Sequence, residues 1–99
     1  MIKNKQYEGE VVVKNVPPNF RKELLNLIEN MGERAMRRDV LDRVLDLRFK
    51  DKDLRITTSE NQLAQKIALK IQEVFKNKIE KKIRRGKEGG VSSVLVDFL

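Results

Sequence analysis

The sequence predicts an α+β fold: a two-layer sandwich with two helices packed on one face of a mostly antiparallel sheet, in the order β-α-β-β-α-β-β. Three observations carry that prediction. Residues 20–31 and 63–75 repeat apolar side chains at helical spacing, other stretches are β-branched or alternate at period two, and Pro17-Pro18, Gly32 and three glycines within 86–90 punctuate the chain. Ninety-nine residues make one domain, 1–99, because a single core is normally built from about 100 to 200 residues.

Each element has its own reason. Glu8 to Val16 is β-branched and ends at a diproline that cannot continue a ladder, so it reads as the first strand, with residues 1–6 disordered ahead of it. Asn19 is placed to cap a helix carrying Phe20, Leu24, Leu27, Ile28 and Met31 on one face, which Gly32 is expected to end. Residues 33–44 fit a helix through Met36, Val40 and Val44 yet lead into a strand, and are read as a helical or irregular connection. Leu45, Leu47 and Phe49 then alternate with Asp46, Arg48 and Lys50. After a turn at Lys50 to Asp53, Leu54, Ile56 and Thr58 alternate with Arg55 and Thr57, which makes a hairpin with one apolar face.

Ser59-Glu60-Asn61-Gln62 has the spacing of a capping box and opens the second helix. At about 100° per residue, Leu63, Ala64, Ile67, Ala68, Ile71, Val74 and Phe75 fall within an arc of about 140°, with Lys66, Lys70, Glu73 and Asn77 outside it and Leu69 pointing away. Ile79 and Ile83 lie in a basic, strand-like stretch, and Val94, Val96 and Phe98 alternate in the last segment. Residues 84–91 between them read as the flexible basic tip of a second hairpin.

Composition removes most chemistry. The chain has no histidine and no cysteine, which excludes disulfides, imidazole or thiolate metal sites, cysteine nucleophiles and a serine–histidine relay. Asp51 and Asp53 belong to a tight turn, Ser59 to a cap, and Ser92 and Ser93 have no base near them in sequence. Gly86, Gly89 and Gly90 match no phosphate-binding loop and precede a strand where such loops precede a helix. No enzyme activity, metal or cofactor is expected.

Charge is more informative. The net charge is +7, and it is unevenly placed: residues 1–53 carry 12 basic and 10 acidic side chains, residues 54–99 carry 10 and 5. Lys76, Lys78, Lys81, Lys82, Arg84, Arg85 and Lys87 face only Glu80 and Glu88 nearby in sequence. Such a balance can be a merely solvated surface, but it also suits a polyanionic partner. Strand alternation puts Arg48, Arg55, Lys82 and Arg84 on the sheet face away from the helices, Lys66 and Lys70 lie on the outer arc of the second helix, and Arg84, Arg85 and Lys87 lie at the tip. The candidate nucleic-acid contacts are therefore Arg84, Arg85, Lys87, Lys82, Lys81, Lys66, Lys70, Arg48 and Arg55. Phe20, Phe49, Phe75 and Phe98 occupy apolar registers and read as core, leaving Tyr7 as the single free aromatic. Phosphate and shape contacts are expected over base stacking.

Tyr7 to Val13, the segment DLRITTSENQLAQKIALKIQEVF (53–75), Lys81 to Gly86 and Val94 to Phe98 together resemble the middle domain of the large-subunit ribosomal export adaptor family named for nonsense-mediated decay. That domain is related to the eukaryotic large-subunit ribosomal protein called twenty-two e. The resemblance spans nearly the whole chain through patterns of residue class. It implies RNA contact in a ribosomal setting, with Arg84, Arg85 and Lys87 and the helical Lys66 and Lys70 at the corresponding basic positions. The family's Cys-x-x-Cys zinc modules have no counterpart here, so zinc-dependent docking is not implied; the chain has no room for the additional domain or the transport-signal tail of eukaryotic members, so nuclear export is not implied either. The second helix and final hairpin also resemble the C-terminal half of the archaeal Alba chromatin proteins, although that fold has a single strand before its second helix.

The expected function is a non-enzymatic, cytoplasmic RNA-binding module, monomeric or weakly dimeric, acting on ribosomal or another structured RNA. The alternatives are a protein-interaction domain that adds a strand at Val91 to Leu99, and an Alba-like nucleic-acid-binding protein. No membrane partner is expected. Met1 to Lys5 has no apolar leader region and no run approaches the roughly 20 residues a span needs.

Overall fold

A computed structural model describes residues 7–39, 43–80, 84–88 and 91–99. Its elements are β1 (Gly9–Lys14), α1 (Arg21–Arg38), β2 (Val44–Lys50), β3 (Asp53–Thr58), α2 (Asn61–Val74), β4 (Arg84–Glu88) and β5 (Val91–Asp97). This is the predicted order. The five strands form one sheet in the spatial order β2-β3-β1-β5-β4, with β1 and β5 parallel and every other pair antiparallel.

The period-two pattern sets the two faces. Val11 and Val13 of β1, Leu54 and Ile56 of β3, and Val94 and Val96 of β5 share one face and are buried against Leu24, Ile28 and Ala35 of α1 and Leu63, Ala64, Ile67, Ala68 and Ile71 of α2. Phe20, Phe75 and Phe98 close one end of this core, with ring centroids 5.4 to 6.2 Å apart. No described helix is long and apolar enough to cross a membrane.

Several local expectations are corrected. Asn19 does not cap α1; it sits in a single 3-10 turn, Pro18–Phe20, where proline at the first position loses no needed amide donor. Gly32 does not end α1. It is buried mid-helix, and a Cβ there would stand 3.0 Å from Cγ2 of Val44, so the glycine marks a close crossing with β2. The helix former-rich stretch Glu33 to Arg38 then carries α1 onward, and Arg37 and Arg38 complement the negative end of its dipole. The ladder register shifts between Val44 and Asp46, so Val44 packs against the core and Leu45 turns outward, 40% exposed. Val74, within the expected apolar arc, is 46% exposed at the last residue of α2.

The C-terminal hairpin is also different. Arg84–Glu88 is not a tip but a strand, paired with β5 from Arg84↔Leu95 to Glu88↔Val91. Of the expected tip of 84–91, residues 84–88 and 91 are in strands, and residues 89–90 lie outside the described residues, as do 1–6. β5 runs between β1 and β4, so Val91 to Leu99 offers no edge; the free edges belong to β2 and β4.

The capping box is the most instructive correction. The N-cap of α2 is Glu60, without a side-chain bond, and the Ser59 hydroxyl instead accepts the Arg43 amide at 2.9 Å while the Ser59 amide donates to the Arg43 carbonyl at 2.9 Å. Ser59 therefore ties the entry to β2 onto the β3–α2 junction. Ser59→Ala is expected to cost about 1 kcal/mol in urea unfolding. Hydrogen exchange should accelerate at the Arg43 amide and stay unchanged at Gln62; the reverse pattern would restore the capping role.

The hairpin turn behaves as read. Lys50 pairs with Asp53, leaving Asp51-Lys52 as a two-residue turn with Asp51 at φ 57°, a left-handed conformation that aspartate tolerates. Arg21 holds this turn to α1: its Nη2 donates to the Asp51 carbonyl at 2.9 Å and its guanidinium lies 4.9 Å from the Phe49 ring centroid.

Candidate nucleic-acid interface

The ladder aligns Arg48, Arg55, Val12, Leu95 and Arg84 in one row across all five strands. Neighbouring strand residues on one row share a face, so these side chains occupy the sheet face away from the helices. The expected grouping of Arg48, Arg55 and Arg84 is therefore real, while Lys82 and Lys81 lie outside the described residues.

Two of those three arginines are already occupied. Arg48 Nε lies 2.9 Å from Asp46 Oδ2, and Arg55 Nε donates to Glu10 Oε2. Glu10 also accepts from Ser93 Oγ at 3.2 Å, so one carboxylate of β1 joins β3 to β5. Tyr7 is not free either: its hydroxyl accepts from Arg55 Nη2 at 3.2 Å, and the guanidinium sits 5.7 Å from its ring centroid. The hydrogen bond to Glu10 raises the Arg55 pKa above its ordinary value; partial burial opposes this, and the Glu10 charge and Tyr7 add to it. Arg55 remains cationic across all ordinary pH. The centre of the open face is therefore an internally neutralised network around Val12 and Leu95.

The β4 edge is different. Arg84, Arg85 and Lys87 are exposed and make no ion pair among the described residues. Register places Arg84 on the open face beside Leu95, and Arg85 and Lys87 on the helix side beside Val94 and Ser92. There β4 extends beyond α2 as a ledge, and Arg85, Lys87 and Gln65 of α2 line a shallow depression of about 330 Å³ floored by Ser92 and Val94. Gly86 sits between the two cations. A Cβ at Gly86 would meet nothing within 4 Å, so neither packing nor a left-handed backbone requires glycine there, and in a strand it costs stability. Its missing side chain bares the edge backbone on the open face, the face of Arg84 and the one opposite Arg85 and Lys87.

A third group lies between the helices. Lys66 and Lys70 of α2 face Arg34 and Arg38 of α1 across a groove of about 230 Å³. Lys70 is paired with Glu73 at 3.1 Å, while Lys66, Arg34 and Arg38 have no ion-pair partner among the described residues. Arg34 and Arg38 were invisible as site residues because Gly32 was expected to end α1 before them. The signal that finds them is their spacing of four, matched by the same spacing of Lys66 and Lys70 on α2.

The nine expected contacts thus divide into a neutralised pair, Arg48 and Arg55; an unpaired ledge, Arg84, Arg85 and Lys87; one wall of a groove, Lys66 and Lys70; and Lys81 and Lys82, which are not described. Such a surface can bind anions by charge and by guanidinium hydrogen bonding. It presents no exposed aromatic pair for base stacking, since Phe75 and Phe98 are buried and Phe20 and Phe49 pack against the core. Comparison of the chain with protein-family models, with curated proteins and with solved structures gives no match.

Proposed function

We propose that this domain is a non-enzymatic RNA-binding module that grips the phosphates of ribosomal or another structured RNA, with β4 as its principal contact. The observation that carries this reading is the unpaired state of Arg84, Arg85 and Lys87 on a free sheet edge, beside the bare backbone of Gly86. Where carboxylates are available the fold uses them, on Arg48, Arg55, Lys70 and Arg37. The three ledge cations make no ion pair among the described residues, and a phosphate would supply the missing charge.

The ribosomal setting is favoured by the resemblance of 7–13, 53–75, 81–86 and 94–98 to the middle domain of the export adaptor family. With no cysteine in the chain, such contact is made without a zinc module. A cytoplasmic location accords with this partner. The test is sedimentation of the protein with purified ribosomal subunits across a salt series. Co-sedimentation at low salt with a steep linear fall of log affinity against log salt is expected. Protein that stays in the supernatant at the lowest salt would sink the reading.

A further inference from the structure

The groove between the helices brings together four cations that no local feature of the fold requires. Arg34 and Arg38 stand one turn apart on α1, Lys66 and Lys70 one turn apart on α2, and the floor between them is Met31, Ala35 and Leu63. Among the described residues no carboxylate lines this groove, and Glu73 pairs with Lys70 at 3.1 Å. Like charges spaced by four weaken a helix, and here two such pairs also face each other. An anion between them relieves both repulsions.

The groove also has a fixed relation to the β4 ledge. Gln65 lines the ledge and Lys66 lines the groove, and these residues are consecutive on α2. The two depressions therefore flank one helix, whose diameter with side chains is about 10 Å. A single small anion cannot occupy both, whereas a continuous polyanion can. Once it is held at one site, its binding at the other becomes intramolecular.

Resting on the RNA reading above, we infer that the α1–α2 groove is a second phosphate-binding site, and that one RNA backbone crosses α2 from the groove to the ledge. The RNA then runs over the helix side of the sandwich. The centre of the open sheet face, where Arg48 and Arg55 are held by Asp46 and Glu10, lies away from its path, and of that face it meets Arg84 alone, at the β4 edge.

Filter binding to large-subunit ribosomal RNA across a salt series tests this with two charge-matched double variants. Arg34→Gln with Arg38→Gln removes one wall of the groove; Lys22→Gln with Arg37→Gln removes the same net charge from exposed positions on α1 that do not line it. Two lost phosphate contacts lower the slope by about 1.4 and the affinity about 25-fold at roughly 0.1 M salt. The control pair is expected to change affinity less than about threefold, as general screening would. Lys66→Gln alone, from the opposite wall where Lys70 is held by Glu73, lowers the slope by about 0.7 and the affinity about fivefold at roughly 0.1 M salt, so a folding defect in α1 cannot imitate it. Equal losses in the groove and control pairs, or no loss in the groove variants, would overturn the inference and leave the RNA reading standing. If the unmodified protein binds no RNA, both fall.

Discussion

Replacing Arg84, Arg85 and Lys87 together by alanine is expected to weaken binding to large-subunit ribosomal RNA about a hundredfold at roughly 0.1 M salt. The size follows from counterion release. Each phosphate neutralised contributes about 0.7 to the log–log slope for a single strand, so three lost contacts flatten it by about 2. If non-electrostatic affinity is untouched, that slope change is worth about two decades at roughly 0.1 M salt and vanishes as salt approaches about 1 M. Alanine is a weak strand former, so a parallel set with threonine keeps the propensity of β4 and separates lost charge from a frayed edge. Arg48→Ala is the internal contrast. Its guanidinium is already paired with Asp46, and its loss is expected to change affinity less than about threefold. If Arg48→Ala costs as much as the triple replacement, the contact surface is the open sheet face and the ledge is wrongly assigned.

Gly9→Ala is expected to be the most damaging single methyl in the domain, lowering stability by about 3 kcal/mol. An added Cβ would lie 2.5 Å from Thr58 Oγ1, 2.6 Å from the Ala64 Cβ and 2.9 Å from the Glu60 carbonyl oxygen. None of these neighbours can move freely. Thr58 is fully buried and its hydroxyl donates to the same Glu60 carbonyl at 2.6 Å, while Ala64 is a buried residue in the first turns of α2. The methyl must push β1 away from β3 or lift the start of α2. In a domain of this size such a loss lowers the melting temperature by roughly 15 °C, measurable by circular dichroism. Gly86→Ala is the matched comparison, because its Cβ meets open space and strand glycine is itself unfavourable; it should leave stability unchanged or slightly raised. A Gly9→Ala protein that melts with the unmodified one would show that the β1–α2 contact relaxes at no cost.

Gly9 and Gly32 show where reading the chain falls short. Both are glycines whose importance lies in a neighbour distant in sequence: Thr58 and Ala64 for one, Val44 for the other. In the linear chain Gly32 resembles a helix stop, since glycine is a poor helix former, and the close crossing with β2 that explains it is not a local property. Ser59 is similar. Its spacing to Gln62 satisfies a capping rule, yet the Arg43 amide, brought alongside by the β2–β3 pairing, competes for the same oxygen and wins.

The legible part of the fold was the part encoded by period. Alternation in 45–58 and 94–98 and the apolar stripe of 63–75 are repeated signals, each position reinforcing the next. They yield the α+β class, the element order and most of the core from residue type alone. The candidate site was legible as composition: a basic second half, no histidine or cysteine, and arginines at strand positions. Which of those cations are free was decided only by the tertiary structure. Arg55 finds Glu10, 45 residues away, because β1 inserts between β3 and β5; Arg34 and Arg38 meet Lys66 and Lys70 because α1 and α2 lie side by side. The physical reason is range. Periodicity acts between residues a few positions apart and survives in the sequence, whereas ion pairing and desolvation act over a few ångströms between residues that only the folded sheet and its helices bring together.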